Sequence, residues 1–289
     1  MHQSKTAPYV FLLPAALLVI IIVVYPMIYG VMLAFTDSNL HSFETHFVGL
    51  QNFAQFFDDA RFLRALRNSV VWSLLTVTLS MLSGFGLALI LNREFFGRRF
   101  GRGILLVPWT VPSVAVAFVW IWLYDPLVGI FNQMLHAGGL GRAEFLSDMR
   151  LTQLWLAISV VWRFYPFVML MLLAGLQSID RELYEAAAVD GASPWQKFRF
   201  ITMPGISMIF ALVTILEFIW LFNHIDMIWI MTGGGPADVS HTLATYSYYV
   251  GFKRFEYGYA SAIGVLMLVI LFVASFLYLH LQERSQGEL

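Results

Sequence analysis

Residues 180–204 read DRELYEAAAVDGASPWQKFRFITMP, and they separate two long apolar runs at 152–176 and 206–229. A plain connector between such runs would be polar and rich in turn residues. This stretch instead contains good helix formers, a central stop signal and a second start signal. It therefore predicts two short helices in a place where a simple loop would be enough.

The signals within this stretch define where each short helix begins and ends. Asp190 and Gly191 end the first helix. Ser193 can cap the second helix, Pro194 suits its first position, and Pro204 is expected to end it. The second helix also has apolar side chains at helical spacing, namely Trp195, Phe198 and Ile201. The pair predicts a small helical knob that either rests on lipid or docks into the groove of a partner protein.

The rest of the chain consists mainly of apolar runs long enough to cross a bilayer, which takes about 20 residues. Six such runs lie at 9–35, 68–91, 104–123, 152–176, 206–229 and 260–281. Hydrophobic residues make up 59% of the chain and charged residues 12%, whereas soluble domains carry about 25% charged residues. The sequence therefore predicts an all-α membrane protein with six transmembrane helices, the first of which is too long to be a signal peptide.

The apolar runs divide the chain into segments. The expected segments are a tail at 1–8, a first transmembrane helix at 9–35, an external loop at 36–67, a five-helix core at 68–281 that includes the connector 177–205, and a tail at 282–289. Four arginines in the turn 92–103 favour a cytoplasmic position for that turn, and hence for 177–205 and both termini. Three arginines then lie outside, against the same rule, which are Arg61, Arg64 and Arg67.

Two ionisable residues fall in the middle of apolar runs, Arg163 in the fourth and Glu217 in the fifth. Charges at bilayer depth are costly, so we expect both to face the protein interior and to pair with each other. Such a pair either ties the helices together or binds substrate. Carboxylate, imidazole and aromatic groups on one face suit a sugar, whose hydroxyls and apolar ring face they can contact. The candidate substrate path contains Arg163, Phe164, Phe167, Glu217, Trp220, Leu221 and His224.

Several classes of function are disfavoured by what the sequence contains. The chain has no cysteine and a formal net charge of −1, which argues against disulfides and against a nucleic-acid partner. No metal-ligand spacing and no catalytic constellation stand out. Residues 233–236 are glycine-rich, but no phosphate-binding loop motif occurs, so ATP and Mg²⁺ are not expected on this chain. Residues 84–86 read Gly-Phe-Gly and favour a close helix contact.

Three motifs, in order and at matching spacing, resemble those of one transporter family. The first is the EAA motif, which consists here of Glu185-Ala186-Ala187, Asp190-Gly191-Ala192, Phe198, Ile201 and Pro204. The others are VPWTVPS at 107–113 and MTGGGP at 231–236. Together they resemble the permease subunits of binding-protein-dependent ABC sugar importers, specifically the maltose-system F-type family. Met203 stands where leucine is usual, which is a conservative departure.

The resemblance implies a type I ABC importer permease fold in the bacterial inner membrane, with 177–205 forming a cytoplasmic coupling helix. Its expected contact residues are Glu185, Ala186, Ala187, Asp190, Gly191, Ala192, Phe198 and Pro204. In this reading Glu185 and Asp190 cap and orient the knob. The implied partners are a second permease in a heterodimer, two ATPase subunits that hold ATP and Mg²⁺, and a periplasmic or lipid-anchored solute-binding protein. The chain itself is then not an enzyme.

Two other functions remain open on the residues alone. A stand-alone secondary transporter or channel could use the same central charges, although the knob would then have no purpose. An intramembrane enzyme with Glu217 and His224 as acid and base is less favoured, because these residues lie about 10.5 Å apart along a helix. Neither the sugar nor its charge follows from the sequence.

Overall fold

The computed structural model describes residues 7–42 and 44–287, and these residues are helical apart from loops and one isolated antiparallel bridge between Thr36 and Phe47. The α-helices of this described part are α1 (Ala7–Val19), α2 (Tyr25–Leu33), α3 (Gln51–Ala54), α4 (Ala60–Asn92), α5 (Arg98–Thr110), α6 (Ser113–Leu123), α7 (Ile130–Ala137), α8 (Thr152–Ser178), α9 (Arg181–Val189), α10 (Pro194–Lys197), α11 (Met203–Phe222), α12 (Asp226–Thr232), α13 (Leu243–Phe252) and α14 (Tyr257–Gly287). The tails expected at 1–8 and 282–289 lie partly outside the described residues.

Five helical stretches among the described residues are long and apolar enough to cross a membrane. They are Leu12–Leu33, Ala60–Asn92, Thr152–Ser178, Pro194–Thr232 and Tyr257–His280. The third apolar run of the sequence corresponds to α5 and α6, which meet at a bend of 96° and supply a sixth crossing if the two halves form one span.

The bend between α5 and α6 has a local cause. Val111 adopts an extended backbone with φ −80° and ψ 134°, because the ring of the following proline disfavours the helical conformation. Pro112 is the N-cap residue of α6 and has no N–H to donate. The expected run at 104–123 is therefore two helices, and the VPWTVPS motif forms the corner between them.

Helix α4 begins earlier than the apolar pattern predicts. It starts at Ala60, so residues 60–67 of the expected external loop are helical, as is α3 within that loop. The Asp59 side chain caps the helix, since its Oδ1 accepts hydrogen bonds from the N–H groups of Arg61 (2.9 Å) and Phe62 (3.2 Å). The helix therefore extends into polar sequence that a hydropathy window does not include.

The described chain divides into two compact units. The first contains residues up to 63 together with 246–270. Within it, Asn52 donates to the carbonyls of Ala34 (2.9 Å) and Thr36 (2.8 Å), which fixes the end of α2 against the loop. Asp59 Oδ2 accepts from the hydroxyls of Tyr246 (2.6 Å) and Tyr259 (2.9 Å), so the capped end of the loop is tied to the 246–260 segment.

The second unit contains 64–245 and 271–289, and it carries the candidate site. Helix α8 is its central element, with 61% of its most apolar window buried, the largest share among the spans. One buried cluster surrounds the N-terminal half of α8 and includes Trp72, Trp120 and Leu221. A second cluster, with Val168 and Leu172 at its centre, packs α8 against α4 and α11.

Candidate functional site

The connector 180–204 forms the two short helices that the sequence predicts. The Asp180 side chain caps α9 by accepting from the N–H of Glu182 at 3.0 Å, and the helix ends at Asp190 and Gly191. Gly191 has a φ of +77°, a left-handed conformation that glycine adopts without strain. The predicted cap of the second helix is confirmed: Ser193 and Gln196 form a capping box, with Pro194 in the first turn.

Two details of this segment differ from the expectation. Glu185 does not cap α9; it is exposed and lies 3.7 Å from Arg181 one turn earlier, while Asp190 serves only as the residue at which α9 ends. Pro204 does not end the second helix either. Residues 198–202 form a π-helical turn that leads directly into α11, and Pro204 lies in the first turn of α11, where its missing N–H costs nothing.

The two short helices present apolar side chains that the second unit does not cover. Leu183 is 53% exposed, Val189 89%, Trp195 67% and Phe200 71%. Ala186 and Gly191 are also exposed, and Ala187 and Ala192 are half-buried. Small residues flanked by exposed apolar groups are typical of a surface that another protein covers. The segment thus has the properties of a docking surface.

The exposed segment is nonetheless held firmly on its inner side. The Tyr184 hydroxyl and the Thr202 Oγ1 share a hydrogen bond of 2.9 Å, which joins α9 to the start of α11. The Phe198 ring lies 6.2 Å from that of Phe85 on α4 and 5.5 Å from that of Trp195. A displacement of the knob would therefore be transmitted to α4 and α11.

Of the two intramembrane charges, Glu217 lies in the interior, and its partner is not the expected one. Its side chain is completely buried, and Oε2 accepts from the Ser80 hydroxyl of α4 at 3.0 Å. Among the described residues, no ion pair joins Glu217 to Arg163, so the expected pairing is wrong. Helical spacing and depth predicted the two residues at similar levels, but they do not fix the direction in which each side chain points.

Arg163 belongs to a second polar group at the junction of α8 with α11 and α12. It is half-buried, and its guanidinium lies 5.2 Å from the centre of the Phe164 ring. The Phe164 ring also contacts His224, whose ring centre is 5.4 Å away in an edge-on arrangement. The Asp226 carboxylate accepts from the Ser113 hydroxyl at 2.9 Å.

Within the described part of the chain, this second group contains buried polar atoms that lack a hydrogen-bond partner. They are the Nε of Arg163 and the Nε2 of His224, and Glu217 Oε1 is a third such atom nearby on α11. Buried polar groups without partners are rare in proteins and call for a ligand, a water or a second protein. The site is therefore suited to a polar, hydroxyl-rich guest.

Two of the three aromatic residues of the predicted path, Phe167 and Trp220, form a cluster with Trp109. The Phe167 and Trp220 rings lie 4.8 Å apart, and the Trp109 ring lies 5.7 Å from Phe167. Trp220 is 40% exposed and Trp109 38% exposed, so the cluster opens away from the core. Leu221, in contrast, is fully buried, and its carbonyl accepts from the Trp72 indole at 2.9 Å.

The sequence predicts that four residues of the fifth apolar run share one face of a helix, and in the structure they do not. These residues are Glu217, Trp220, Leu221 and His224. Glu217 and Leu221 point into the core, whereas Trp220 is exposed and His224 follows the end of the helix. Trp109, Ser113 and Asp226 were not among the predicted path residues. The first two lie in the VPWTVPS motif, which could have identified them, because the proline-induced corner brings both toward α8 and α12.

No metal site stands out in the part of the chain that the structure describes, where no three histidine, aspartate or glutamate side chains are grouped suitably. What the site offers is an aromatic platform, a guanidinium, an imidazole and two carboxylates. These groups can bind and pass a solute without making or breaking covalent bonds in it.

Comparison with known proteins gives a consistent result. Residues 77–286 match the family model described as binding-protein-dependent transport system inner membrane component. A probable ABC transporter permease of Brucella suis is 34% identical over 98% of this chain and 99% of its own length. The trehalose/maltose transport system permease MalF of Thermococcus litoralis is 33% identical over 96% of this chain and 94% of its own length.

A solved structure is similar along almost the whole chain. It is a bacterial alginate ABC transporter in complex with a periplasmic protein that holds an alginate pentasaccharide. The matched chain is 27% identical, with a TM-score of 0.85 over 96% of this chain and 94% of its own length. The type I importer permease fold expected from the sequence is therefore confirmed.

Proposed function

We propose that this chain, which belongs to the family of binding-protein-dependent transport system inner membrane components, is the permease subunit of an ATP-driven importer that takes up a sugar or sugar derivative. The observation that carries the proposal is the exposed pair of capped helices α9 and α10, since a chain driven by another subunit needs a surface on which that subunit docks. The chain is a membrane component and not an enzyme, because ATP hydrolysis in this family takes place on a separate subunit.

The solute class is supported by the aromatic and polar groups of the second unit. Trp109, Phe167 and Trp220 can stack on the apolar face of a sugar ring, while Arg163 and His224 can contact its hydroxyls. The similar permease of Thermococcus litoralis is named for trehalose and maltose, and the similar structure is that of an alginate transporter. Both relatives support a carbohydrate solute.

The partners follow from surfaces that this chain leaves open. The window Leu12–Leu33 is apolar, and none of it is buried within the chain, which suits a helix that packs on a second permease in a heterodimer. Two ATPase subunits, holding ATP and Mg²⁺, would cover the α9–α10 segment of this chain and its equivalent in the second permease. A solute-binding protein would deliver the sugar on the other side, as the family description implies.

The orientation in the inner membrane follows from the same assignment. If the ATPase docks on α9 and α10, the segment 92–103, with its four arginines, is cytoplasmic, as are both chain termini. The absence of cysteine makes this testable without background labelling. In the chain expressed without its ATPase subunits, a cysteine in place of the exposed Ala186 is expected to react with a membrane-impermeant maleimide only from the cytoplasmic side.

Uptake by proteoliposomes tests the proposed function. The full transporter, with binding protein outside, is supplied with radiolabelled maltose, trehalose or alginate oligosaccharides, with and without ATP inside. We expect uptake only when ATP, the ATPase subunits and a loaded binding protein are all present. Uptake by the chain alone, driven by a solute or proton gradient, would instead identify a stand-alone secondary transporter.

A further inference from the structure

A cavity of about 570 Å³ lies beside the start of α9. One wall consists of the end of α4, the turn that follows and the start of α5, which contribute Asn92, Glu94, Arg98 and Arg102. The other wall is the junction of α8 and α9 and contributes Arg181 and Tyr184. All of these residues belong to the second unit. The volume lies within the range of about 300–1,000 Å³ that small-molecule sites usually have.

The cavity has an excess of positive charge. Three arginines face one glutamate, and the arginines come from two segments that are far apart in the sequence. Their recorded contacts leave most of the guanidinium N–H groups available. Arg98 donates to the Arg93 carbonyl at 3.5 Å, Arg102 donates to the Leu91 carbonyl at 3.3 Å, and Arg181 lies 3.7 Å from Glu185.

Arg102 is half-buried in the wall of the cavity, and its guanidinium donates only to the Leu91 carbonyl among the hydrogen bonds of the described residues. A planar guanidinium with free N–H groups matches phosphate oxygens better than any other common acceptor except a carboxylate.

We propose that this cavity binds a phosphate group, and that the headgroup of an anionic phospholipid supplies it. The inference rests on the proposed function in one respect, because the cytoplasmic side assigned to α9 places the cavity where the headgroups of the inner leaflet lie. Basic pockets between membrane helices at this level are a recurrent kind of site for anionic lipid headgroups. A lipid arrives by lateral diffusion and needs no aqueous entry path.

A ligand in this cavity would connect α5 to α9. Arg98 and Arg102 begin α5, whose far end turns into α6 at the proline corner, whereas Arg181 begins α9 of the docking surface. A phosphate held by both walls would brace the coupling segment against α5 and replace direct repulsion between the arginines with attraction. The lipid would therefore stabilise the link between the ATPase-facing surface and the helices that form the path.

The test uses the assembled transporter in neutral detergent, with its thermal unfolding midpoint followed as dioleoylphosphatidylglycerol is added. A ligand that binds the folded state raises the midpoint with the logarithm of one plus the ratio of the ligand concentration to Kd, so the dependence on lipid concentration gives the apparent affinity. Dioleoylphosphatidylcholine serves as the neutral lipid, and inorganic phosphate as the soluble source of the same group. The variants are Arg98→Gln in one wall, Arg181→Gln in the other wall, and Arg99→Gln as the matched control, since Arg99 is adjacent and exposed but does not line the cavity.

We expect phosphatidylglycerol, but not phosphatidylcholine, to raise the midpoint of the wild type. Each cavity variant should weaken the apparent affinity about fivefold, the size expected for one arginine near an anionic lipid, while Arg99→Gln should leave it unchanged. Competition by millimolar inorganic phosphate would assign the site to a soluble phosphate compound, and its absence would assign it to the lipid. Equal responses of Arg98→Gln and Arg99→Gln, or no response of the wild type, would overturn the proposal.

ATP hydrolysis of the same preparations, with and without loaded binding protein, is measured alongside. Stimulation by the binding protein without any response to phosphatidylglycerol would reject the lipid site and leave the proposed function intact. A response to phosphatidylglycerol without stimulation by the binding protein would support the lipid site and reject the proposed function.

Discussion

The Ser80–Glu217 hydrogen bond is the interhelical contact that the buried carboxylate of α11 makes in place of the expected ion pair. We predict that Ser80→Ala and Glu217→Ala each destabilise the transporter and that their effects are not additive, because each removes one partner of the same bond. The coupling free energy should be about 1 kcal/mol, the order found for hydrogen bonds between membrane helices. Denaturant unfolding of the single and double variants measures it.

Ser83→Ala is the matched control, because the Ser83 hydroxyl donates at 2.6 Å to the Leu79 carbonyl of its own helix and reaches no other helix. It should show no coupling to Glu217→Ala. Strict additivity of Ser80→Ala and Glu217→Ala would contradict the role assigned to the bond.

Arg163 and Glu217 show which properties of a single residue can be predicted from the sequence and which cannot. That Glu217 faces the interior was predictable, because a lipid-facing carboxylate is too costly at this depth. That its partner is a serine on α4 was not, since many small hydroxyl residues in α4 could donate and the sequence does not fix the rotation of one helix against another. Arg163 and Phe164 are neighbours in the sequence. The position of Asp226 relative to them depends on how the chain turns between the end of α11 and the start of α12.

Helix α4 approaches α8 closely at one of its two central glycines. A Cβ on Gly84 would lie 2.6 Å from the Val168 Cβ and 2.9 Å from the Tyr165 carbonyl oxygen, whereas a Cβ on Gly86 would meet nothing within 4 Å. We predict that Gly84→Ala destabilises the transporter by about 1–3 kcal/mol through overpacking. Gly86→Ala should stabilise it slightly, because alanine favours a helix by up to about 1 kcal/mol over glycine.

Thermal unfolding of the two variants, which carry the same chemical change two residues apart, decides the matter. Similar midpoints for Gly84→Ala and Gly86→Ala would show that α4 and α8 are not in close contact at this position.

The N-terminus of α4 predicts a dependence of stability on pH. Partial burial opposes ionisation of Asp59, but hydrogen bonds from Tyr246, Tyr259 and the backbone N–H groups of Phe62 and Arg61 outweigh it, so the pKa of Asp59 is lowered. A carboxyl with a lowered pKa stabilises the folded state above its unfolded pKa of about 3.9, and this contribution is lost as the pH falls through the folded pKa.

We therefore expect the unfolding midpoint to fall on acidification below about pH 4. Asp59→Asn should lower the midpoint at pH 7 and make that fall smaller. Asp58→Asn is the control, because it removes the same charge from the neighbouring residue without affecting the cap. An identical acid dependence in wild type and Asp59→Asn would refute the assignment.

The helical elements were predictable to different degrees. The cap of α10 was readable because it depends on neighbouring residues only, Ser193 with Gln196, whereas the Asp180 cap of α9 was not predicted. The early start of α4 was not read, although Asp59 is a suitable cap, because apolar windows exclude charged turns. The sequence shows a proline, Pro112, within an apolar run. Because a transmembrane helix can contain a proline as a mild kink, the 96° bend at this residue could not be predicted from the sequence.

For the whole molecule, composition alone gave the class, since 12% charged residues cannot cover a soluble surface. The family followed from three motifs in order, and the comparisons confirm it. What the sequence could not provide is the position of the charged and aromatic groups of the path relative to each other. These positions arise from contacts among α4, α6, α8, α11 and α12, which are distant in the chain.

The central claim is that the α9–α10 segment transmits the work of an ATPase to this chain. ATP hydrolysis by the reconstituted transporter, with and without loaded binding protein, tests it directly when wild type is compared with Gly191→Asp and Gly97→Asp. Both glycines have left-handed φ values, +77° and +84°, and a Cβ on either would meet nothing within 4 Å, so the two substitutions impose similar backbone strain. Only Gly191 lies in the docking surface.

We predict that the loaded binding protein stimulates hydrolysis in the wild type and in Gly97→Asp, and that Gly191→Asp assembles but loses the stimulation. Unchanged stimulation in an assembled Gly191→Asp transporter would contradict the account, because the turn between α9 and α10 would then have no part in coupling.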